Sequence, residues 1–268
     1  MSDFTKAVQK HYSKHAIYPT VLAALEQRGI GLDRVRTDDL FAYDQFHAGG
    51  IDSTRKLARL AGIEPGAVVI DVGCGAGGSA RFLRTEMDCR VFGLDLSPSS
   101  VSTALRLNRL AGIRSVVDFA CAQAEHIPLR SGLAHYVWTQ HVTMNMGDHA
   151  AMLDEVVRLL KPGGCYAGHE WLRSGNAGEL PYPMPWAPDA SANNTIVSER
   201  FLKLLGERGF SLEVADVTAE MQKALKKDRE LLRAADVPAV AERIPRLENL
   251  IAASRDGLMV CWMIVAKL

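Results

Sequence analysis

Val68-Val69-Ile70-Asp71-Val72-Gly73-Cys74-Gly75-Ala76-Gly77-Gly78 is the stretch on which the reading of the fold turns. Its first three residues are apolar and β-branched, as suits a central parallel strand covered on both faces. The glycines that follow let the backbone turn sharply and approach a ligand where a Cβ would collide. Ser79-Ala80-Arg81-Phe82-Leu83 then reads as the first turns of a helix, whose free N–H groups favour polar or anionic ligand groups. Asp71 sits just before the turn, with its carboxylate at the mouth of a pocket.

Gly73, Gly75 and Gly78 satisfy the spacing G-x-G-x-x-G, and Asp95 follows Gly75 by 20 residues, where a ribose-binding acid is expected. Spacing alone leaves a nicotinamide enzyme and other nucleoside binders open. Two features favour the latter. An acid at the end of the first strand would repel a pyrophosphate laid over the turn, but suits a cationic ligand end such as an amino acid's ammonium. The motif also follows a long helical leader, whereas many dinucleotide domains begin with it.

The 268-residue chain can bury one sizeable core and fits a single α/β domain with additions. Its formal net charge is zero, which gives no reason to expect nucleic acid or an anionic membrane as a partner. The five cysteines are scattered without a C-x-x-C pair and mostly fall in expected strands, so they read as buried, reduced thiols of a cytoplasmic protein. No set of His, Cys and acidic residues has metal-ligand spacing, so no metal is expected.

Residues 1–55 read as helices preceding the sheet, with Ala7, Val8, Tyr12 and His15 near helical spacing and an N-cap pattern at Thr37-Asp38-Asp39-Leu40. Asp44-Gln45-Phe46-His47-Ala48-Gly49-Gly50 reads as a polar segment laid over the pocket; His47 is a site candidate there, or a capping or core histidine. Arg90 to Asp95 is the second strand, followed by a helix capped by Ser97 with Pro98 at its first position. Ser115 to Ala122 is the third strand, and Gln123 in the next loop can offer a donor and an acceptor to a purine edge, or simply face solvent. His135 to Thr139 is the fourth strand. Beyond its carboxyl end lies Gln140-His141-Val142-Thr143-Met144-Asn145-Met146, where open α/β sheets bind ligands; His141 and Asn145 are therefore substrate-site candidates.

Asp148 to Leu160 is an amphipathic helix stopped by Lys161-Pro162-Gly163-Gly164, and Cys165 to His169 is the fifth strand, with Glu170-Trp171 hanging from its end. The proline-rich loop 172–197 contains Tyr182 and Trp186 and has an apolar, aromatic face. Ser198 to Arg208 is a helix and Phe210 to Val217 the sixth strand. Residues 219–255 read as two charged helices outside the sheet, broken near Val237-Pro238. The apolar run Gly257 to Ala266 should be a strand inserted inside the sheet.

Asp71 to Gly77, Asp95 and Leu160-Lys161-Pro162-Gly163-Gly164 together make the chain resemble a class I S-adenosylmethionine (SAM)-dependent methyltransferase, and displace the nicotinamide reading. Asp44 to Gly50, Gln140 to Met146 and Pro183 to Ala187 further resemble small-molecule enzymes such as the sarcosine/dimethylglycine N-methyltransferases. The resemblance implies a three-layer, Rossmann-like sheet of seven mostly parallel strands with an antiparallel last strand. It implies a helical cover at 1–55 over a SAM-binding domain at 56–268, and SAM as cofactor. It places Asp71, Gly73 and Gly75 at the methionine end, Asp95 and Leu96 at the ribose, Gln123 and Ala124 at the adenine, and the Gln140 carbonyl near the ammonium. Relatives usually carry Asp where this chain has Gln123.

Methyl transfer is an in-line displacement, for which the protein supplies mainly orientation. A histidine can take a proton from the acceptor; His141, His47 and His169 are candidates in that order. Tyr182, Trp186 and Trp171 are candidates to line the acceptor pocket. The expected partner is a small molecule, modified on N, O or C, and a homodimer is compatible with this reading. Two other functions use the same pocket. One is a SAM cyclase forming azetidine-2-carboxylate and methylthioadenosine, with Asn145, Tyr182 and Ser198 as candidate clamps; the other is a non-catalytic SAM-binding module.

Overall fold

A computed structural model describes residues 2–12, 17–113, 117–176, 178–235 and 242–268. His15, Ser115 and Val237-Pro238, named above, lie outside these residues. Four helices lead into the sheet: α1 (Asp3–Tyr12), α2 (Ile17–Gln27), α3 (Thr37–Asp44) and α4 (Gly50–Ala61). There follow β1 (Val68–Val72), α5 (Gly78–Thr85), β2 (Arg90–Asp95), α6 (Pro98–Leu110), β3 (Val117–Cys121), β4 (Ala134–Gln140), α7 (His149–Leu159) and β5 (Leu160–Arg173). The chain ends with α8 (Ser198–Gly206), β6 (Ser211–Asp216), α9 (Thr218–Ala235), α10 (Arg243–Arg255) and β7 (Met259–Lys267).

The seven strands lie in the order β3-β2-β1-β4-β5-β7-β6. β1 is central and parallel to both β2 and β4, and β7 runs antiparallel between β5 and β6. These arrangements follow from the side chains. Val69 packs into the core on one face of the sheet, while Ile70 and Val72 pack into the core on the other. β7 divides in the same way: Cys261, Met263 and Val265 face one core and Ile264 and Ala266 the other. Such a strand can only be interior. β6, almost wholly exposed, takes the edge.

Several boundaries differ from the sequence reading. Glu170 and Trp171 do not hang from the end of the fifth strand. β5 continues to Arg173, paired with β7 through Glu170↔Trp262 and Trp171↔Cys261, so both residues are fully buried. The long partner strand extends β5 beyond the point where its own apolar pattern fades. Gln140 closes β4 instead of following it. The N-cap of α3 is Arg36, whose N–H donates to the Asp39 carboxylate, and Thr37 is the first helical residue. Cys121 is exposed at the end of β3, unlike the other four thiols. Ser97 caps α6 with Pro98 behind it, as the sequence indicates. Among the described residues no helix is long and apolar enough to cross a membrane.

Candidate cofactor and acceptor site

The site is assembled at the carboxyl ends of β1, β2, β4 and β5. After Val72 the chain turns through Gly73, whose φ of 74° few side chains tolerate; a Cβ there would also sit 2.5 Å from Val142. Gly73 and Cys74 both donate to the Leu94 carbonyl, so the turn is tied to the end of β2. Gly78 opens α5 against Asp44, whose backbone carbonyl a Cβ would strike. The glycines therefore bring the turn close both to the loop after β4 and to the end of α3.

Asp71 and Asp95 stand on either side of this turn. The Ala80 backbone in the first turn of α5 favours the charged form of Asp71. Asp71 Oδ2 is buried with no partner. Burial, followed by the charge of Asp95, pushes the Asp71 carboxyl up to about 7. Asp95 accepts from Gly75 N–H (2.9 Å) and Ser97 N–H (2.8 Å), one on each oxygen, and burial also raises its carboxyl. A carboxylate oxygen has a second lone pair, so Asp95 can still accept from a diol.

Helix α1 crosses above. Gln9 Nε2 donates to the Leu96 carbonyl at 3.0 Å, and Asn145 Nδ2 donates to the Tyr12 hydroxyl at 3.0 Å. The Tyr12 phenol is pushed up to about 12, chiefly by burial of the hydroxyl. Beside the start of α1 lies an open cleft of about 620 Å³ lined by Phe4, Gln123, Glu125, Asp148, Asn193 and Asn194. Gln123 thus faces a cleft, and neighbouring Ala124 is buried.

On the face of the sheet that carries Asp71, Gln140 Oε1 accepts from Ser79 Oγ (2.6 Å) and Trp138 Nε1 (3.0 Å), while its Nε2 is buried without a partner. Three histidines gather beside it. The rings of His141 and His169 are 4.7 Å apart, and that of His47 lies 5.9 and 6.1 Å from them. His47 Nε2 meets the Gly50 carbonyl (3.1 Å) and Thr54 Oγ1 (2.9 Å). A carbonyl only accepts, so this nitrogen carries the proton. Burial pushes His47 down to about 4 and holds His141 and His169 well below the ordinary histidine range. All three rings are neutral at pH 7.

His141 has a φ of 56°, unusual for a residue with a Cβ. Its N–H donates to the His169 carbonyl, and its Nε2 is buried without a partner. The turn behind it is held by Glu170, whose Oε2 accepts from Val142 N–H (2.8 Å), Thr143 N–H (3.1 Å) and Thr143 Oγ1 (3.0 Å). Glu170→Leu would strand two buried N–H groups, and should destabilise the fold by about 2–6 kcal/mol, at about 1–3 for each. Urea denaturation at constant pH measures this, and a loss below about 1 kcal/mol would contradict it.

Among the other candidates, Trp186 lies in, and Tyr182 packs against, the core on the face of the sheet that carries Asp71. The Tyr182 hydroxyl interacts with the Asn193 side chain, and Trp186 Nε1 donates to Asn193 Oδ1. Ser198 is buried and its hydroxyl donates to Glu199. The Trp171 ring lies 6.3 Å from that of His141. The sequence reading missed Glu170 and Thr54 as supports and Cys261 as a neighbour of His169. The sequence points to His141, His47 and His169 one by one, and nothing in it places Cys261 beside them.

Residues 70–167 match the family described as a methyltransferase domain. Over 115 residues the chain is 35% identical to cycloartenol-C-24-methyltransferase of Arabidopsis thaliana, covering 43% of this chain and 34% of that one. Over 101 residues it is 37% identical to dimethylglycine N-methyltransferase of Parasynechococcus marenigrum, covering 38% and 36%. Residues 70–167 are thus similar to a methyltransferase domain. It spans about a third of the length of these curated relatives. The fold is that of geranyl diphosphate C-methyltransferase from Streptomyces coelicolor, with a TM-score of 0.74, 19% identity and coverage of 99% and 98% of the two chains.

Proposed function

We propose that the chain transfers a methyl group from SAM to a small-molecule acceptor by in-line displacement. The observation that carries this reading is Asp71 Oδ2, a buried carboxylate oxygen without a partner beside the Gly73 turn. Such an oxygen calls for a cationic donor, and the ammonium of the cofactor's methionine end is one. SAM when bound supplies a methyl group activated by its sulfonium.

The residues present fit this cofactor. Asp71 would take the ammonium, with the unpartnered Gln140 side chain and carbonyl beside it. Gly73 and Gly75 would let the chain pass close to the methionine end. Asp95, steadied by Gly75 and Ser97, would accept the ribose hydroxyls with Leu96 alongside. Gln123 and Ala124 would border the adenine. Residues 1–55 would act as the cover, α1 being fastened at Leu96 and Asn145. On the acceptor side, His141 offers an unpartnered nitrogen, while His47 is committed to Gly50 and Thr54 and steadies the wall. Asn145 holds Tyr12 at the rim.

Incubation of the pure protein with SAM alone, and then with panels of amines, phenols and carboxylates, tests this. S-adenosylhomocysteine formed only with an acceptor is the expected result. Methylthioadenosine formed from SAM alone would replace methyl transfer by cyclisation. Tight SAM binding without any product across the panels would replace it by a binding role.

A further inference from the structure

Beneath the start of α4, two of the histidines meet a thiol. His141 ends the β4 turn, His169 lies in β5, and Cys261 lies in β7, where it pairs with Trp171. His169 and Cys261 are fully buried on the face of the sheet that carries Asp71. His169 Nε2 lies 3.3 Å from Cys261 Sγ, and one ligand atom from each of the three residues falls within 4.8 Å of the others.

We propose that His141, His169 and Cys261 form a binding site for a single borderline divalent transition-metal ion, with Zn2+ as the reference ion. The inference goes beyond methyl transfer and does not depend on it.

The chemistry of the donor set points this way. Imidazole and thiolate are the ligands that Zn2+ and its first-row neighbours prefer, whereas Mg2+ and Ca2+ require oxygen ligands. A tetrahedral ion with bonds of about 2.0–2.3 Å holds its ligand atoms about 3.3–3.6 Å apart. The Nε2–Sγ distance already meets this, and a modest ring rotation brings in His141. His141 Nε2 and His169 Nδ1 are buried and make no hydrogen bond. Unpartnered polar atoms in a dry interior are costly, and a metal bond at this place uses one of them directly. The unusual backbone of His141 aims its ring into the group, and the Glu170 and His169 hydrogen bonds fix the turn that presents it. Three protein ligands leave a fourth position for water or an acceptor atom, as in catalytic rather than closed structural zinc sites. His47, tied by Nε2 to Gly50 and Thr54, walls the group without joining it.

The site has no signature in the sequence. Its members stand at 141, 169 and 261, and only the pairing of β7 with β5 brings the last two together.

Cobalt is the spectroscopic probe. Full-length protein carrying Cys121→Ser, which removes the exposed thiol, is stripped with chelator and titrated with Co2+ alone. Expected are one equivalent bound, a near-ultraviolet thiolate-to-cobalt charge-transfer band, tetrahedral visible bands, and displacement of cobalt by one equivalent of Zn2+. Cys261→Ser should abolish the charge-transfer band. His141→Gln, in a turn outside the sheet, should keep the band but weaken binding by about tenfold or more. It carries the test if the strand variant does not fold, with circular dichroism and thermal melting as the check. Failure to bind either ion stoichiometrically, or wild-type affinity and spectrum in His141→Gln, would overturn the proposal and leave His169 and Cys261 a hydrogen-bonded pair. None of these readouts involves SAM, so failure here leaves the methyltransferase reading intact, and the reverse holds.

Discussion

Asp71→Asn should weaken SAM binding by about 10- to 100-fold while making the ligand-free protein more stable above pH 7. Both effects come from one oxygen. Asp71 Oδ2 is buried with no partner, and its carboxyl is pushed from 3.8 up to about 7, mainly by burial and next by Asp95. In the ligand-free protein the protonated form is therefore favoured. The folded state holds a proton between about pH 4 and 7 that the unfolded chain has released, so stability falls as pH rises through that interval. Above about 7 the carboxylate is charged and the full penalty applies, at most about 4 kcal/mol for the interval between 3.8 and about 7. Asparagine never carries that charge, so the variant should melt higher at pH 8 and show a flatter dependence on pH.

Binding has the opposite sign. An ammonium placed against Oδ2 needs the carboxylate, so SAM affinity should rise from pH 6 to pH 8 and binding below about 7 should release a proton from Asp71. The charge-assisted hydrogen bond lost in the variant is of the order of 1.5–3 kcal/mol, the basis of the 10- to 100-fold figure. Calorimetry in two buffers of different ionisation enthalpy measures both affinity and protons. Unchanged affinity in Asp71→Asn, or wild-type affinity that is flat across pH 7, would remove Asp71 from the cofactor site.

The central part of this site was legible because its signals are local. A β-branched run followed by glycines specifies strand, turn and helix within eleven residues, and Asp95 follows at a distance set by one helix and one strand. The last strand was legible for a similar reason: apolar side chains on both faces leave an interior place as its only home. The acceptor side was not. His141, His169 and Cys261 become neighbours only through the register of β4, β5 and β7, and no periodicity encodes register between strands so far apart in sequence. Glu170 and Trp171 were read as lying beyond a strand, because the partner that continues it is β7, nearly a hundred residues later. The proline-rich loop offers aromatic residues, and Trp186 lies in, with Tyr182 packed against, the core on the face of the sheet that carries Asp71. Composition indicates that a loop has an apolar face but not where that face points.

Arg81 shows the same limit in energetic form, and Arg81→Ala should be among the most destabilising single substitutions in the chain. By sequence it is an ordinary residue in the first turns of α5; in the fold it is completely buried. Its Nε and Nη2 donate to Asp44 Oδ2 at 3.1 and 2.8 Å, Nη2 also donates to the Ala76 carbonyl at 2.5 Å, and Nη1 donates to Asn108 Oδ1 at 3.0 Å. One guanidinium thus ties the end of α3, the glycine turn and α6 together. Alanine would leave Asp44 buried without its cationic partner, keeping the long hydrogen bond from Gln45 Nε2, and would free the Ala76 carbonyl in the glycine turn. Removing one partner of a buried pair costs about 3–5 kcal/mol, whereas replacing both by apolar residues of similar volume is often close to neutral. The double variant Arg81→Met with Asp44→Leu should therefore recover much of the stability lost by Arg81→Ala. It should not recover all of it, since Ala76 and Asn108 still lose a donor. Urea denaturation of the single and double variants measures this as a coupling between positions 44 and 81. A loss below about 1 kcal/mol in Arg81→Ala would mean that the pair is accessible to water, and that α3 is attached to the glycine turn by packing alone.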